Sequence, residues 1–519
     1  METLIRDILE ESCQKYAEIK AVKWLKKKEI LSRSYHELLE NVAAIRKGLA
    51  AEGFHGAHIA LIGTSSVDWI ESYLGIITGN TAAVPLDAGL PEEDLIDLLN
   101  RSDSEALFLS SKKRVLLDGI LEQCPKLKKI WLLDEAPEIS NKKTDSLAGL
   151  KESSKKAGDG SQRPAPEDVA TIIYTSGTTG KSKGVMLTQR NLATNVESVN
   201  YTKEPGSVLL SVLPIHHAFC LVMDWLKGFS LGTTVCINDS LLHMVRNMSI
   251  FKPDVMLMVP LMVETIYKKL SAADPAIPKK ILADKLFGGN LRIIFTGGAH
   301  LDPYYIDQFA EYGVDIFEGY GMSECSPVIS SNTPDDHKAG SVGRPLCNVE
   351  LAFDDGEILV RGSSVMKGYY NMPKETAETL KDGWLHTGDK GYLDEDGFLF
   401  INGRVKNLII LSNGENISPE EIENKLALNN LVGEVIVTGE KNGLTARIYP
   451  DQETVAAGGM DEEAVQTALQ TFLDQYNKSQ PTYRQITGLV VRKNPFVRSS
   501  TKKIKRQEAM IDEPVCIRT

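Results

Sequence analysis

Apolar and polar positions follow one another along this chain in a rhythm that changes several times. Residues 35–52 carry apolar side chains at helical spacing, and residues 1–58 as a whole read as mostly helical. Residues 58–62 then form a continuous apolar run, the pattern of a buried strand. Residues 69–86 continue as a helix, a Gly-Asn turn and a second strand beginning at Ala82. The runs 106–109 and 129–133 extend this βαβ texture. It predicts an α/β fold, a mainly parallel sheet flanked by helices. Residues 141–167 break the rhythm: rich in Lys, Ser, Gly and Pro, they offer little to bury and read as an exposed linker.

Four apolar runs each deliver a polar or glycine-rich stretch at their carboxyl end, where open α/β sheets bind ligands. Residues 169–174 open into Thr175-Ser176-Gly177-Thr178-Thr179-Gly180-Lys181-Ser182-Lys183, and Thr188 is placed to cap a helix over 189–200. Residues 207–213 end in Pro214-Ile215-His216-His217-Ala218-Phe219. Residues 291–295 end in Thr296-Gly297-Gly298-Ala299, and 314–317 in Glu318-Gly319-Tyr320-Gly321-Met322-Ser323-Glu324. The expectation is that these stretches gather at one sheet edge.

The first stretch has the chemistry of a polyphosphate cradle. Glycines bring backbone N–H groups close to an anion, hydroxyls add donors, and two lysines add charge. It is not the common P-loop, whose pattern requires a glycine where Thr175 stands.

Beyond residue 400 the texture changes again. A polar turn at 402–407 precedes about 110 residues that alternate short strands with a helix from Pro419, so a small α+β module is expected. The boundary falls near Arg404, giving domains 1–403 and 404–519.

Composition narrows the classes. The chain has 519 residues, 42% hydrophobic and 25% charged, ordinary for a globular protein. A net charge of −12 argues against nucleic acid as the main partner. Seven scattered cysteines with no CxxC or Cys/His cluster read as reduced thiols of a cytoplasmic enzyme, with neither zinc nor disulfide framework. No apolar run approaches a membrane span, so no stable membrane insertion is expected.

The run from Tyr174 to Gly184 resembles the nucleotide-binding signature of the adenylate-forming superfamily, which includes acyl-CoA synthetases, nonribosomal peptide adenylation domains and firefly luciferase. Six motifs follow in that family's order across most of the chain. The resemblance implies ATP held by Thr175, Ser176, Gly177, Thr178, Thr179, Gly180, Lys181 and Lys183, with Gly298, Ala299, Gly319, Tyr320, Gly321 and Ser323 around the adenine and phosphate. It makes Glu324 the Mg²⁺ ligand, and His217 a neighbour of the reacting carboxylate. Phe219, Gly297 and Met322 become the acyl pocket. Asp389 in Gly383-Trp-Leu-His-Thr-Gly-Asp389 becomes the ribose acceptor, Arg404 a ribose or phosphate contact, and Lys406 the hinge. Gly414 becomes part of the thiol tunnel, and Lys503 the catalytic lysine. Lys502 stands where the family usually has glycine, which leaves open which lysine inserts.

Cys220-Leu-Val-Met223 replaces the acid that amino-acid-activating relatives use, so the implied substrate is a fatty acid. The acceptor is CoA, or alternatively phosphopantetheine on an acyl carrier protein. An amino-acid adenylating enzyme is the weakest alternative.

Overall fold

The computed structural model describes residues 2–134, 142–156, 161–175, 181–410, 416–440, 443–498 and 504–506. The chain divides into two compact units. The first comprises Met1–Ala299, Pro303–Leu351 and Val360–Leu385. The second comprises His300–Asp302, Ala352–Leu359 and His386–Thr519.

The first unit is built on two sheets. One runs, edge to edge, Gly368–Tyr369, Lys183–Thr188, Val169–Thr175, Ala82–Leu86, His58–Ile62, Ser104–Leu109, Lys129–Leu132 and Thr144–Ser146. From Val169–Thr175 to Thr144–Ser146 every pairing is parallel. These strands are short and apolar because helices cover both faces; Ala60, Ile62, Leu107, Leu109 and Ile172 are fully buried. The second sheet sets Asp315–Gly321, Ile293–Thr296, Val255–Met258, Val208–Ser211 and Thr234–Ile237 side by side in parallel. The four ligand-facing runs are therefore divided. Val169–Thr175 lies in one sheet and the other three lie in its companion. Periodicity identifies a strand but carries no information on which sheet receives it.

Two further expectations are corrected. Residues 1–58 contain a hairpin, Lys20–Lys26 with Glu29–Ser34, whose first strand pairs in parallel with Thr234–Ile237. Its lysines conceal a strand that buries only Ala21 and Val22 completely. The expected linker contains Thr144–Ser146 and the helix Leu147–Lys156, which packs on the helix Tyr35–Ala51. Two leucines three apart suffice: Leu150 is fully buried, and a Cβ on Gly48 would lie 2.4 Å from its carbonyl oxygen.

The second unit has its own core. Strands Val432–Glu440, Gly443–Pro450 and Ile486–Val491 form one sheet, against which helices Pro419–Leu426 and Glu462–Asn477 pack through Ile422, Leu426, Leu469 and Leu473. Among the described residues no helix is long and apolar enough to cross a membrane.

Candidate active site

The phosphate-type loop joins two antiparallel strands. Val169–Thr175 and Lys183–Thr188 pair with Thr175 opposite Lys183, so both flanks of the loop are held by a hairpin. Ser176, Gly177, Thr178, Thr179 and Gly180 lie outside the described residues. Lys181 is exposed, whereas Lys183 is half-buried with its ammonium 4.7 Å from the centre of the Tyr369 ring. Thr188 ends the hairpin and caps the helix Gln189–Ser198, its hydroxyl accepting from the Asn191 N–H.

That helix fixes the segment carrying Glu324. Asn195 donates to the carbonyls of Cys325 and Val328 at 3.2 and 2.8 Å, and Asn191 donates to Ser363 and Val365 at 2.7 and 2.9 Å. Glu324 is nearly buried, and its Oε1 accepts from the Tyr369 hydroxyl at 2.8 Å. Burial, and then the neighbouring carboxylate, push the Tyr369 hydroxyl far above the usual tyrosine range, so it stays a neutral donor. Lys183, Tyr369 and Glu324 thus form one array. Tyr369 reaches it because Gly368–Tyr369 adds a short strand to the hairpin, with Tyr369 opposite Val185. Tyr369 belongs to none of the motifs read from the sequence; its signal there is the Gly-Tyr-Tyr-Asn stretch.

Gly319, Tyr320 and Gly321 belong to the strand Asp315–Gly321, which pairs with Val328–Ser331. A Cβ on Gly321 would fall 2.1 Å from the Pro327 carbonyl oxygen, so close packing excludes any side chain there. Tyr320, Met322 and Ser323 are half-buried along the same stretch. Gly297 and Phe219 are brought together: a Cβ on Gly297 would lie 3.0 Å from the Gly319 oxygen and 3.8 Å from Phe219 Cζ. Gly298 adopts φ +82 beside open space, followed by the exposed Ala299.

The histidine pair stands at the start of the helix-like segment Phe219–Lys227, with ring centres 4.5 Å apart. His216 Nε2 is 3.7 Å from Asp87 Oδ2, and burial lowers its pKa, which favours the neutral ring. His217 is half-buried, its N–H donating to the Pro214 carbonyl. Behind them Asp224, completely buried, accepts from Ser211 Oγ at 2.7 Å and Cys220 Sγ at 3.4 Å.

In the second unit Asp389 is buried and paired across a hairpin with Arg404, whose Nε lies 2.9 Å from Oδ1. Lys406 is exposed in the short turn Val405–Asn407. Gly414, Lys502 and Lys503 lie outside the described residues. Among the described residues no cluster of three or more His, Cys, Asp or Glu could hold a metal by itself.

A family described as AMP-binding enzyme matches residues 9–370, and its C-terminal domain matches residues 406–512. The chain belongs to the AMP-binding enzyme family. The long-chain-fatty-acid–CoA ligase 5 of Rattus norvegicus is 28% identical over 92% of this chain and 82% of its own length. The long-chain-fatty-acid–CoA ligase FadD15 of Mycobacterium bovis is 28% identical over 78% of this chain and 74% of its own. Among solved structures, the anthranilate CoA ligase AuaEII with anthranoyl-AMP superposes with a TM-score of 0.84 at 21% identity, covering 98% of this chain and 97% of that one. That likeness establishes the fold of an adenylate-forming enzyme with a C-terminal domain.

Proposed function

We propose that this AMP-binding enzyme activates a medium- or long-chain fatty acid with ATP and passes the acyl group to the thiol of CoA. It is an AMP-forming acid–thiol ligase of the acyl-CoA synthetase type. A carboxylate is a poor acyl donor, since its leaving group would be oxide. Attack of a carboxylate oxygen on the α-phosphorus gives acyl-adenylate and pyrophosphate, and the thiol then displaces AMP. Two anions must meet, so the site needs positive charge.

The observation that carries this reading is the array of Lys183, Tyr369 and Glu324 beside the hairpin. Lys183 supplies charge at the loop's exit. Glu324 fits Mg²⁺, because with a polyphosphate one protein carboxylate is enough and its hydrogen-bond donor is a neutral hydroxyl. When bound, Mg²⁺ neutralises developing charge on the phosphates. Asp389 is assigned to the ribose diol, Arg404 to orienting that carboxylate, and Lys503 to bridging the carboxylate and α-phosphate. Lys406 is the hinge between the half-reactions, Gly414 lines the thiol's path, and the part that turns is the chain beyond residue 404, within the second unit.

An apolar acid is favoured because the nearest acid after Phe219, Asp224, is fully buried and engaged by Ser211 and Cys220. It offers nothing to an α-ammonium group. The two relatives are named for long-chain fatty acids. A carrier-protein thiol is the second acceptor considered, and a cytoplasmic location fits the reduced cysteines.

ATP–pyrophosphate exchange over a panel of acids, followed by addition of CoA or carrier protein, tests the reading. Exchange should rise with fatty-acid length, since each buried methylene contributes ~0.8 kcal/mol. Exchange with amino acids and none with fatty acids would reverse the assignment.

A further inference from the structure

The helix Glu92–Arg101 has no part in the reaction scheme, yet the turn at its carboxyl end touches both strands that carry Lys183 and Tyr369. Arg101, its last residue, donates from Nη2 to the Ser182 carbonyl at 2.6 Å, one peptide before Lys183. The same guanidinium lies 5.7 Å from the centre of the Tyr174 ring, and its Nη1 is 3.3 Å from Asp97 Oδ2, one turn back. The Tyr174 ring covers Gly184, where a Cβ would come 3.1 Å from Cζ. Tyr174 stands opposite Gly184 in the hairpin, so one cation spans both of its strands. Two residues on, Asp103 holds the next strand. Its Oδ2 accepts from the Tyr370 hydroxyl at 2.7 Å and from Asn371 Nδ2 at 3.3 Å, and its Oδ1 accepts from the Lys126 ammonium. Lys126 and then the Tyr370 hydroxyl hold the Asp103 carboxyl below its usual range, so it is ionised. Tyr370 follows Tyr369, and its N–H donates to the Gly184 carbonyl at 2.8 Å. Between the two anchors, His58 Nδ1 donates to the Ser102 carbonyl at 2.7 Å, and its ring meets that of Tyr370 edge to face, centres 4.9 Å apart.

Asp103 adopts φ +52, the left-handed position after a helix where glycine is the usual residue. An aspartate there accepts backbone strain that glycine would avoid, and supplies the carboxylate on which Tyr370 hangs. We propose that Arg101 and Asp103 are positioning residues for Mg·ATP: Arg101 sets the Lys183 ammonium, and Asp103 sets Tyr369, against Glu324. The inference deepens the reading above and rests on its assignment of Lys183 and Glu324 to nucleotide and metal. Lys183 and Tyr369 stand on neighbouring strands, with the ammonium 4.7 Å from the ring centre. Tethering one strand alone would leave that spacing free to change. The turn tethers both, each through a polar contact one residue from a member of the array. Groups that must meet phosphate oxygens in one geometry depend on such tethers, because small displacements are costly.

Binding of Mg·ATP to the full chain, followed by isothermal titration calorimetry without acid, tests this apart from turnover. Arg101→Gln should raise the Kd about tenfold, the weight of one charge-assisted hydrogen bond, and Arg101→Lys should recover part of the loss. Asp103→Gly, which suits the left-handed backbone but removes the acceptor, should raise it about fivefold. Tyr370→Phe should match Asp103→Gly. Asp103→Asn, which keeps an acceptor and tolerates the same backbone, should stay near wild type. In pyrophosphate exchange KM for ATP should rise by the same factors, with KM for the fatty acid unchanged. Supplied acyl-adenylate should still pass to CoA at wild-type rate, which shows that the variants are folded. Wild-type Kd in Arg101→Gln and Asp103→Gly beside weak binding in Lys183→Met would overturn the positioning role and leave the nucleotide site in place. Wild-type Kd in Lys183→Met would overturn the assignment of that lysine, and the proposal with it. Equal loss of both half-reactions with a lowered Tm would make the turn a structural element and overturn the proposal. Weakened binding in the turn variants, with no exchange for any fatty acid in the wild type, would support the turn's role and overturn the fatty-acid reading.

Discussion

Asp224 in the first unit is completely buried and Glu423 in the second is partly so, and burial raises each to about 7. Their partners differ. Asp224 meets the Ser211 hydroxyl and the Cys220 thiol, neutral groups that add little to offset the loss of water. Glu423 meets Arg506. A carboxyl among neutral donors holds its proton more tightly than a free one and serves as a hydrogen-bonding knot. One facing a guanidinium is drawn toward ionisation and grips the segment that carries the cation. Glu324 belongs to a third situation: its partner is the Tyr369 hydroxyl, a neutral donor, which is the arrangement the proposed Mg²⁺ role calls for. The unlike partners set the three acids apart: Asp224 sits among neutral donors, Glu423 faces a guanidinium, and Glu324, the acid proposed above for Mg²⁺, meets only a hydroxyl among the partners described.

The largest effect should come from removing the carboxylate proposed for Mg²⁺. Glu324→Gln should lower adenylation about 10²–10³-fold, measured by pyrophosphate exchange, with an unchanged circular dichroism spectrum. Near-normal exchange at saturating Mg²⁺ would place Glu324 with Asp224 as a structural acid. The hinge assignment offers an effect of similar size in the other half-reaction. Lys406→Pro should keep exchange and lose thioester formation, and loss of both together would sink it.

Asp224→Asn comes next, and its readout is stability against pH. Because the folded-state pKa lies above the ordinary value of 3.8, the folded protein holds this proton more tightly than the unfolded chain does. Stability from this group is therefore intact below about pH 4 and is lost as pH rises toward about 7. The variant should gain on the wild type across that window, by on the order of a few kcal/mol, and the difference should level off above it. A difference that is flat with pH would contradict the protonated state. Tyr369→Phe should be mildest, about fivefold in exchange, the effect of one hydrogen bond to a charged group that water can partly replace. A loss as large as that of Glu324→Gln would mean that Tyr369 holds the carboxylate in place.

What could be read in the sequence and what could not differ by range of interaction. The loop from Thr175 to Lys183 and the cap at Thr188 were legible because their chemistry is written in adjacent residues. The strand Lys20–Lys26 was hidden because it buries only one short stretch and shows lysines elsewhere. Tyr369 was missed because its partner stands 45 residues away and only a two-residue strand brings them together. Arg506 and Glu423 are 83 residues apart, and a basic run near a chain end reads equally well as a solvated tail. Gly297 was legible as a glycine that matters, but the neighbour that requires it, the Gly319 carbonyl, belongs to the next strand. Local motifs announce the chemistry, whereas residues that aim it are joined only through the fold.

The central claim, that this AMP-binding enzyme activates a fatty acid through its adenylate, is tested most directly by following the acid's own oxygens. A long-chain fatty acid labelled with heavy oxygen in both carboxyl positions is turned over with ATP and CoA, and the products are weighed by mass spectrometry. The attacking oxygen stays on phosphorus when the thiol displaces AMP, so the account predicts one heavy oxygen in each AMP, one in the acyl-CoA and none in pyrophosphate. Label in inorganic phosphate with ADP as the nucleotide product, or AMP without label, would contradict it.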